Sequence, residues 1–133
     1  MNFNFTSQIC TTKEQSERLL ALGLRKETAD MCIDNMGNIY TYPITIIETI
    51  KNDWGLIPLW SLHRLIEMMP STLQDLYKID FSKRGVYYAD FSDDSFYIIQ
   101  SFANLNKTLY DNVIDCIEWL IKVDFFNKEY LKE

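Results

Sequence analysis

Apolar residues recur at helical spacing in three stretches of the chain. In the clearest stretch, between residues 105 and 125, they fall three or four positions apart and form one continuous stripe. This stripe consists of Leu109, Tyr110, Val113, Ile114, Ile117, Leu120 and Ile121. The same spacing, with residues suited to cap a helix, predicts helices over residues 12–22, 61–69 and 108–123.

The first predicted helix has two candidate starting points. Thr11 with Glu14 and Thr12 with Gln15 both have the spacing of a capping box, in which each side chain bonds the backbone of the other residue. Gly23 is placed to end the helix because glycine accepts the left-handed conformation that follows a helix end.

From residue 77 onward the apolar period changes to two, which is typical of strands. The alternation predicts strands over residues 77–81, 86–91 and 96–101. The linkers 82–85 and 92–95 have the length and the residue types of hairpin turns. These segments together predict an antiparallel three-stranded meander.

The region between the first two predicted helices gives weaker signals. Residues 26–32 suggest a second short helical turn, and residues 39–42 suggest a strand that Pro43 ends or places at a sheet edge. Residues 44–50 fit a helix as well as a strand, so both alternatives stay open. Residues 55–59 are expected to form a loop.

The order of these elements predicts an α+β fold in a single globular domain spanning residues 1–133. We expect an antiparallel sheet of three to four strands, packed with amphipathic N-terminal, central and C-terminal helices. Both faces of the predicted meander carry apolar residues. Either helices cover both faces, or one face serves a partner or a second copy of the chain.

The charge balance narrows the classes of partner. Asp and Glu number 19 against 13 Lys and Arg, a formal charge of −6, and no basic stripe is present. Binding to nucleic acid or to an anionic membrane surface is therefore not expected, whereas a basic protein partner fits. Residues 1–5 lack the features of a signal peptide, and the three cysteines have no paired spacing, so a cytoplasmic protein with reduced thiols is expected.

Little in the sequence indicates chemistry. There is no glycine-rich phosphate loop and no metal-ligand spacing, so no catalytic residue, metal or cofactor is assigned. A thiol of Cys10 or Cys32 activated by His63 is an enzyme alternative with little local support. Asp93 and Asp94 fit a hairpin turn better than a cation site.

One apolar stretch outside the predicted elements is the candidate interaction patch. It comprises Trp54, Leu56, Ile57, Leu59 and Trp60. So much apolar surface in a loop either tucks beneath the fold or contacts a partner. We favour tucking and keep the contact patch as the candidate binding site.

Five blocks of the chain carry a resemblance to a known group of proteins. They are KEQSERLL (13–20), ETADM (27–31), PLWSL (58–62), RLIEMMP (64–70) and IEWLI (117–121). In this order they resemble a family of small uncharacterised proteins from gut anaerobic bacteria and their prophage-like or mobile elements. The resemblance implies no activity and no site residue.

Three functions are therefore compared. The first is a non-enzymatic protein-interaction or accessory factor of a mobile element. The second is an acidic immunity or antitoxin-like protein that neutralises a basic partner. The third is an enzyme that depends on a cysteine and His63. The first of these functions implies an unidentified protein partner or a homodimer.

Overall fold

A computed structural model describes residues 7–50, 54–92 and 97–133. The α-helices are α1 (Lys13–Ala21), α2 (Ile44–Ile50), α3 (Leu62–Met68) and α4 (Leu109–Lys122), with short 3₁₀ turns at Lys26–Thr28 and Lys128–Tyr130. The strands are β1 (Met31–Ile33), β2 (Ile39–Tyr40), β3 (Ile57–Leu59), β4 (Thr72–Leu73), β5 (Tyr77–Phe81), β6 (Val86–Asp90) and β7 (Tyr97–Phe102).

The strands form two antiparallel sheets, so the predicted α+β fold is confirmed. The larger sheet has the order β4-β5-β6-β7, which contains the predicted meander and adds β4 at one edge. The smaller sheet has the order β2-β1-β3. This second sheet is not expected from the sequence pattern.

The predicted helices begin where side chains satisfy their free backbone N–H groups. Thr12, and not Thr11, caps α1, and Gln15 completes the capping box. Gly23 follows the helix with φ of 105°, as its predicted stop role requires. Ser61 caps α3 and Thr108 caps α4 through their side-chain oxygens. None of the helices in the described part of the chain is long and apolar enough to cross a lipid bilayer.

Two local predictions are wrong for the same physical reason. Residues 26–32 form only the short turn Lys26–Thr28 before β1 begins, and residues 55–59 contain a strand where a loop was expected. Cys32 pairs with Tyr40 on one side and with Pro58 on the other. Long-range strand pairing thus overrides the local signals, and Pro58 is tolerated because β3 lies at a sheet edge.

The ambiguous segments are also settled. Residues 44–50 form a helix, α2. The strand expected over residues 39–42 is shorter than expected and ends at Tyr40.

One large apolar cluster joins α1, α3 and α4 to one face of the larger sheet. Val86 and Tyr88 of β6 are fully buried in it, as are Ile114, Ile117 and Leu120 of α4. The β5–β6 hairpin packs closely against the end of β7. A Cβ on Gly85 would lie 1.7 Å from the carbonyl oxygen of Phe102. Only glycine fits there.

Candidate interaction surface

The structure distributes the predicted Trp54–Trp60 patch between the interior and the surface. Leu59 and Trp60 are buried, with 1% and 0% exposure. The Trp60 indole donates its Nε1–H to Thr28 Oγ1 at 3.0 Å, so its polar atom is satisfied inside the fold. Trp54, Leu56 and Ile57 are half-buried. Two of the five residues are therefore packed inside the fold, and the other three lie partly at its surface.

The candidate Cys and His side chains are not brought together by hydrogen bonding. The His63 side chain is 84% exposed and lies 3.8 Å from Glu67, while Cys10, Cys32 and Cys116 are all buried. Burial raises the pKa of each thiol, that of Cys116 to about 12. These environments oppose the thiolate form that a nucleophilic cysteine needs.

The remaining chemical hypotheses concern bound cations and paired acids. Within residues 7–50, 54–92 and 97–133, no group of three or more His, Cys, Asp or Glu side chains could hold a metal ion. Asp93 and Asp94 lie outside the described residues.

The feature that stands out is the outer edge of β7. β7 is the terminal strand of the larger sheet, and among the described strands it pairs only with β6. Tyr97–Phe102 contains no charged residue and no proline, two of the features that protect a sheet edge from pairing with another chain, although it does contain a third, a β-bulge. Within the described residues, no strand pairs with the outer side of β7.

A β-bulge increases the apolar surface of this edge. Tyr88 lies opposite Gln100 and Ala89 lies opposite Ile98, so Ile99 is an extra residue on β7. Regular alternation would place Ile98 and Ile99 on opposite faces and hide one of them. With the bulge, Ile98 and Ile99 are 41% and 38% exposed, and Tyr97 is 68% exposed.

Two turns extend this apolar surface at the same end of the sheet. Leu76, in the turn between β4 and β5, is 42% exposed, and Phe91, after β6, is 43% exposed. They line a depression of about 240 Å³ together with Asp75, Lys78, Asp90 and Ser92. We define the sheet-end patch as Leu76, Phe91, Tyr97, Ile98 and Ile99 with the bordering carboxylates Asp75 and Asp90.

The β4–β5 turn contains two non-glycine residues in the left-handed conformation. Gln74 and Asp75 have φ of 54° and 57°, and the N–H of Leu76 donates to the carbonyl of Leu73 at 3.1 Å. A left-handed conformation costs a non-glycine residue about 1–2 kcal/mol. Tight two-residue hairpin turns need this conformation at both central positions. Leu76 follows directly after these two residues.

The charges around the patch are mainly negative. Hydrogen bonds from the Ser92 side chain and from the Ser92 backbone N–H, the latter 2.8 Å from Asp90 Oδ1, lower the pKa of Asp90 and keep this carboxylate ionised at neutral pH. Lys78 is the one cation that lines the depression.

Comparison with known proteins adds no relative to this description. No known protein-family model matches the chain, and neither a curated protein nor a solved structure matches it significantly.

Proposed function

We propose that this protein is a non-enzymatic interaction factor that binds an extended segment of another protein at the sheet-end patch. The observation that carries the proposal is the exposure of Tyr97, Ile98 and Ile99 on an edge strand that has no charged residue and, among the described strands, pairs only with β6. Strand addition satisfies the backbone of such an edge, while side chains of the added segment pack on the exposed apolar residues.

The partner suited to this surface is apolar and basic. Its main chain would pair with β7, and a Lys or Arg side chain would reach towards Asp90, which lies on β6 opposite Tyr97. The formal charge of −6 further favours a basic partner, because complementary charge accelerates association.

This charge argument supports the immunity or antitoxin-like role as a second candidate function. In that role the protein would bind and neutralise one basic protein. The accessory role in a mobile element rests on the sequence resemblance, and a cytoplasmic location rests on the three free thiols. A homodimer through β7 is the outcome expected if the added strand comes from a second copy.

The enzyme alternative receives less support. His63 is exposed, and burial raises the pKa of all three thiols. A catalytic thiolate needs the opposite environment.

The test compares two matched variants in affinity capture from the native host. Ile99→Lys places a charge on the patch, whereas Ile46→Lys makes the same change on α2, where Ile46 is 47% exposed. We expect proteins captured by the unmodified chain and by Ile46→Lys to be lost with Ile99→Lys. Identical capture by both variants would contradict the proposal. Sedimentation of the same samples distinguishes a second copy from another protein.

A further inference from the structure

A cleft on another side of the molecule has the size of a small-molecule site. It lies between the end of α1, the Lys26–Thr28 turn, α2, β3 and the C-terminal residues, and its volume is about 380 Å³. Ligand sites in proteins commonly measure roughly 300–1,000 Å³. The floor is apolar and consists of Leu20, Ile44, Leu56 and Pro58.

The rim of the cleft carries more positive than negative charge. Arg25, Lys26 and Lys132 face Glu27 and Glu48, which leaves one excess positive charge in a chain whose formal charge is −6. Lys26 Nζ is bound to Glu48 Oε1 at 2.9 Å, and Arg25 lies 3.7 Å from Glu27. Within the described residues, no ion pair involves Lys132.

Backbone hydrogen bonds hold the segment that contains Arg25 beside the segment that contains Lys132. Leu24 and Leu131 form an isolated antiparallel bridge. Beside it, the N–H of Arg25 donates to the carbonyl of Tyr130 at 2.9 Å, and the N–H of Lys132 donates to the carbonyl of Gly23 at 2.8 Å. Arg25 and Lys132 therefore lie on neighbouring segments that both line the cleft, where a bound oxyanion would relieve the repulsion of like charges.

We propose that this cleft binds a small amphipathic carboxylate, with its apolar body on the floor and its carboxylate between Arg25 and Lys132. The apolar floor requires an apolar body, because burying a polar molecule there would leave its groups without partners. The two rim carboxylates, Glu27 and Glu48, disfavour ligands of higher negative charge. This site is separate from the sheet-end patch and does not depend on its function.

The first experiment measures binding of octanoate and of octanol to the whole protein by calorimetric titration. The two probes share an apolar chain and differ in charge. We expect saturable binding of octanoate and at least about 10-fold weaker binding of octanol, the ratio that the loss of a charge-assisted hydrogen bond gives. No saturable octanoate binding, or equal binding of the two probes, would overturn the proposal.

The second experiment tests whether the carboxylate of octanoate binds beside Lys132. Lys132→Ala should weaken octanoate binding about 10-fold and leave octanol binding unchanged. Lys128→Ala is the matched control, because Lys128 is 77% exposed, pairs with Asp124 at 3.5 Å and does not line the cleft. Equal weakening by the two variants would show that octanoate responds only to net charge, and the proposed position would be wrong.

Discussion

The large core around α4 and the small three-stranded sheet are stabilised in different ways. In the first region, helices and the larger sheet share one continuous apolar cluster. In the second region, the apolar residues form two separate small clusters, one with Cys10, Met31 and Leu59 and the other with Cys32, Ile44 and Ile47. Because stabilisation grows with the apolar area that is buried together, the second region should open locally while the first unfolds as a unit.

The largest expected effect tests this difference with one substitution made in each region. Ile117→Ala removes a fully buried side chain from α4 and should cost about 2–5 kcal/mol. Ile47→Ala removes a side chain that is 6% exposed from a cluster of only three buried residues, so its cost should lie at the lower end of that range or below. Chemical denaturation measures both changes in the free energy of unfolding. Equal costs would contradict the proposed difference between the two regions.

A buried hydrogen bond next to β3 connects the two regions. Trp60 belongs to the large cluster but follows directly after β3 of the small sheet, and its indole N–H donates to Thr28 Oγ1. Thr28→Val keeps the volume and leaves this N–H without its acceptor, which should cost about 1–3 kcal/mol. The free energy of unfolding and hydrogen exchange in β1 and β3 give the measurement. A change below about 0.5 kcal/mol would show that this bond does not couple the regions.

A surface ion network should contribute to the large region in a pH-dependent manner. Burial raises the pKa of Asp115, but hydrogen bonds from Lys107 and Arg18, at 2.8 and 2.6 Å, outweigh it and hold the pKa below its usual value. The resulting stabilisation is present above the unfolded-state pKa of about 3.9 and disappears as the pH falls through the lower folded-state pKa.

The corresponding measurement compares Asp115→Asn with the unmodified chain from neutral pH down to acid. Asp115→Asn should cost about 1 kcal/mol at neutral pH, and the difference should shrink as the pH falls below about 4. Glu48→Gln removes the Lys26 pair of the small region, whose side chains are 45% and 38% exposed, and should change stability very little. A difference for Asp115→Asn that stays constant with pH would contradict the assignment.

The smallest effect on stability is expected at the sheet-end patch. Ile99→Lys and Ile46→Lys both replace exposed isoleucines, so each should alter the free energy of unfolding by no more than about 0.5 kcal/mol. A larger loss with Ile99→Lys would mean that this side chain supports the sheet, and any accompanying loss of binding would then follow from unfolding.

The sequence predicts the large region well because its signals are local and long. α4 has 14 residues, so its apolar stripe extends over several turns, and Thr108 caps it as one would expect from residue type. The meander is equally readable, because β5 and β6 have five residues each and short linkers join the strands.

The small sheet could not be read in the same way. Its strands contain two or three residues, too few to show a period of two, and β3 pairs with β1 across more than twenty intervening positions. The helical turn predicted from the preceding residues therefore extends wrongly over Met31 and Cys32. Only the tertiary pairing decides their conformation.

The candidate surface was only partly visible in the sequence. The apolar character of Ile98 and Ile99 is evident, but alternation assigns them to opposite faces, and nothing local indicates the bulge that exposes both. The stretch from Trp54 to Trp60 shows the reverse case, because its apolar residues are mostly explained by β3 and by the burial of Leu59 and Trp60.

Hydrogen exchange of the protein with a captured partner tests the central proposal most directly. Strand addition would bond backbone N–H groups at the outer edge of β7, so exchange should slow within Tyr97–Phe102 when the partner is bound. Exchange in α2, which lies in the other region, should stay unchanged. Slowing confined to elements other than β7 would contradict the account.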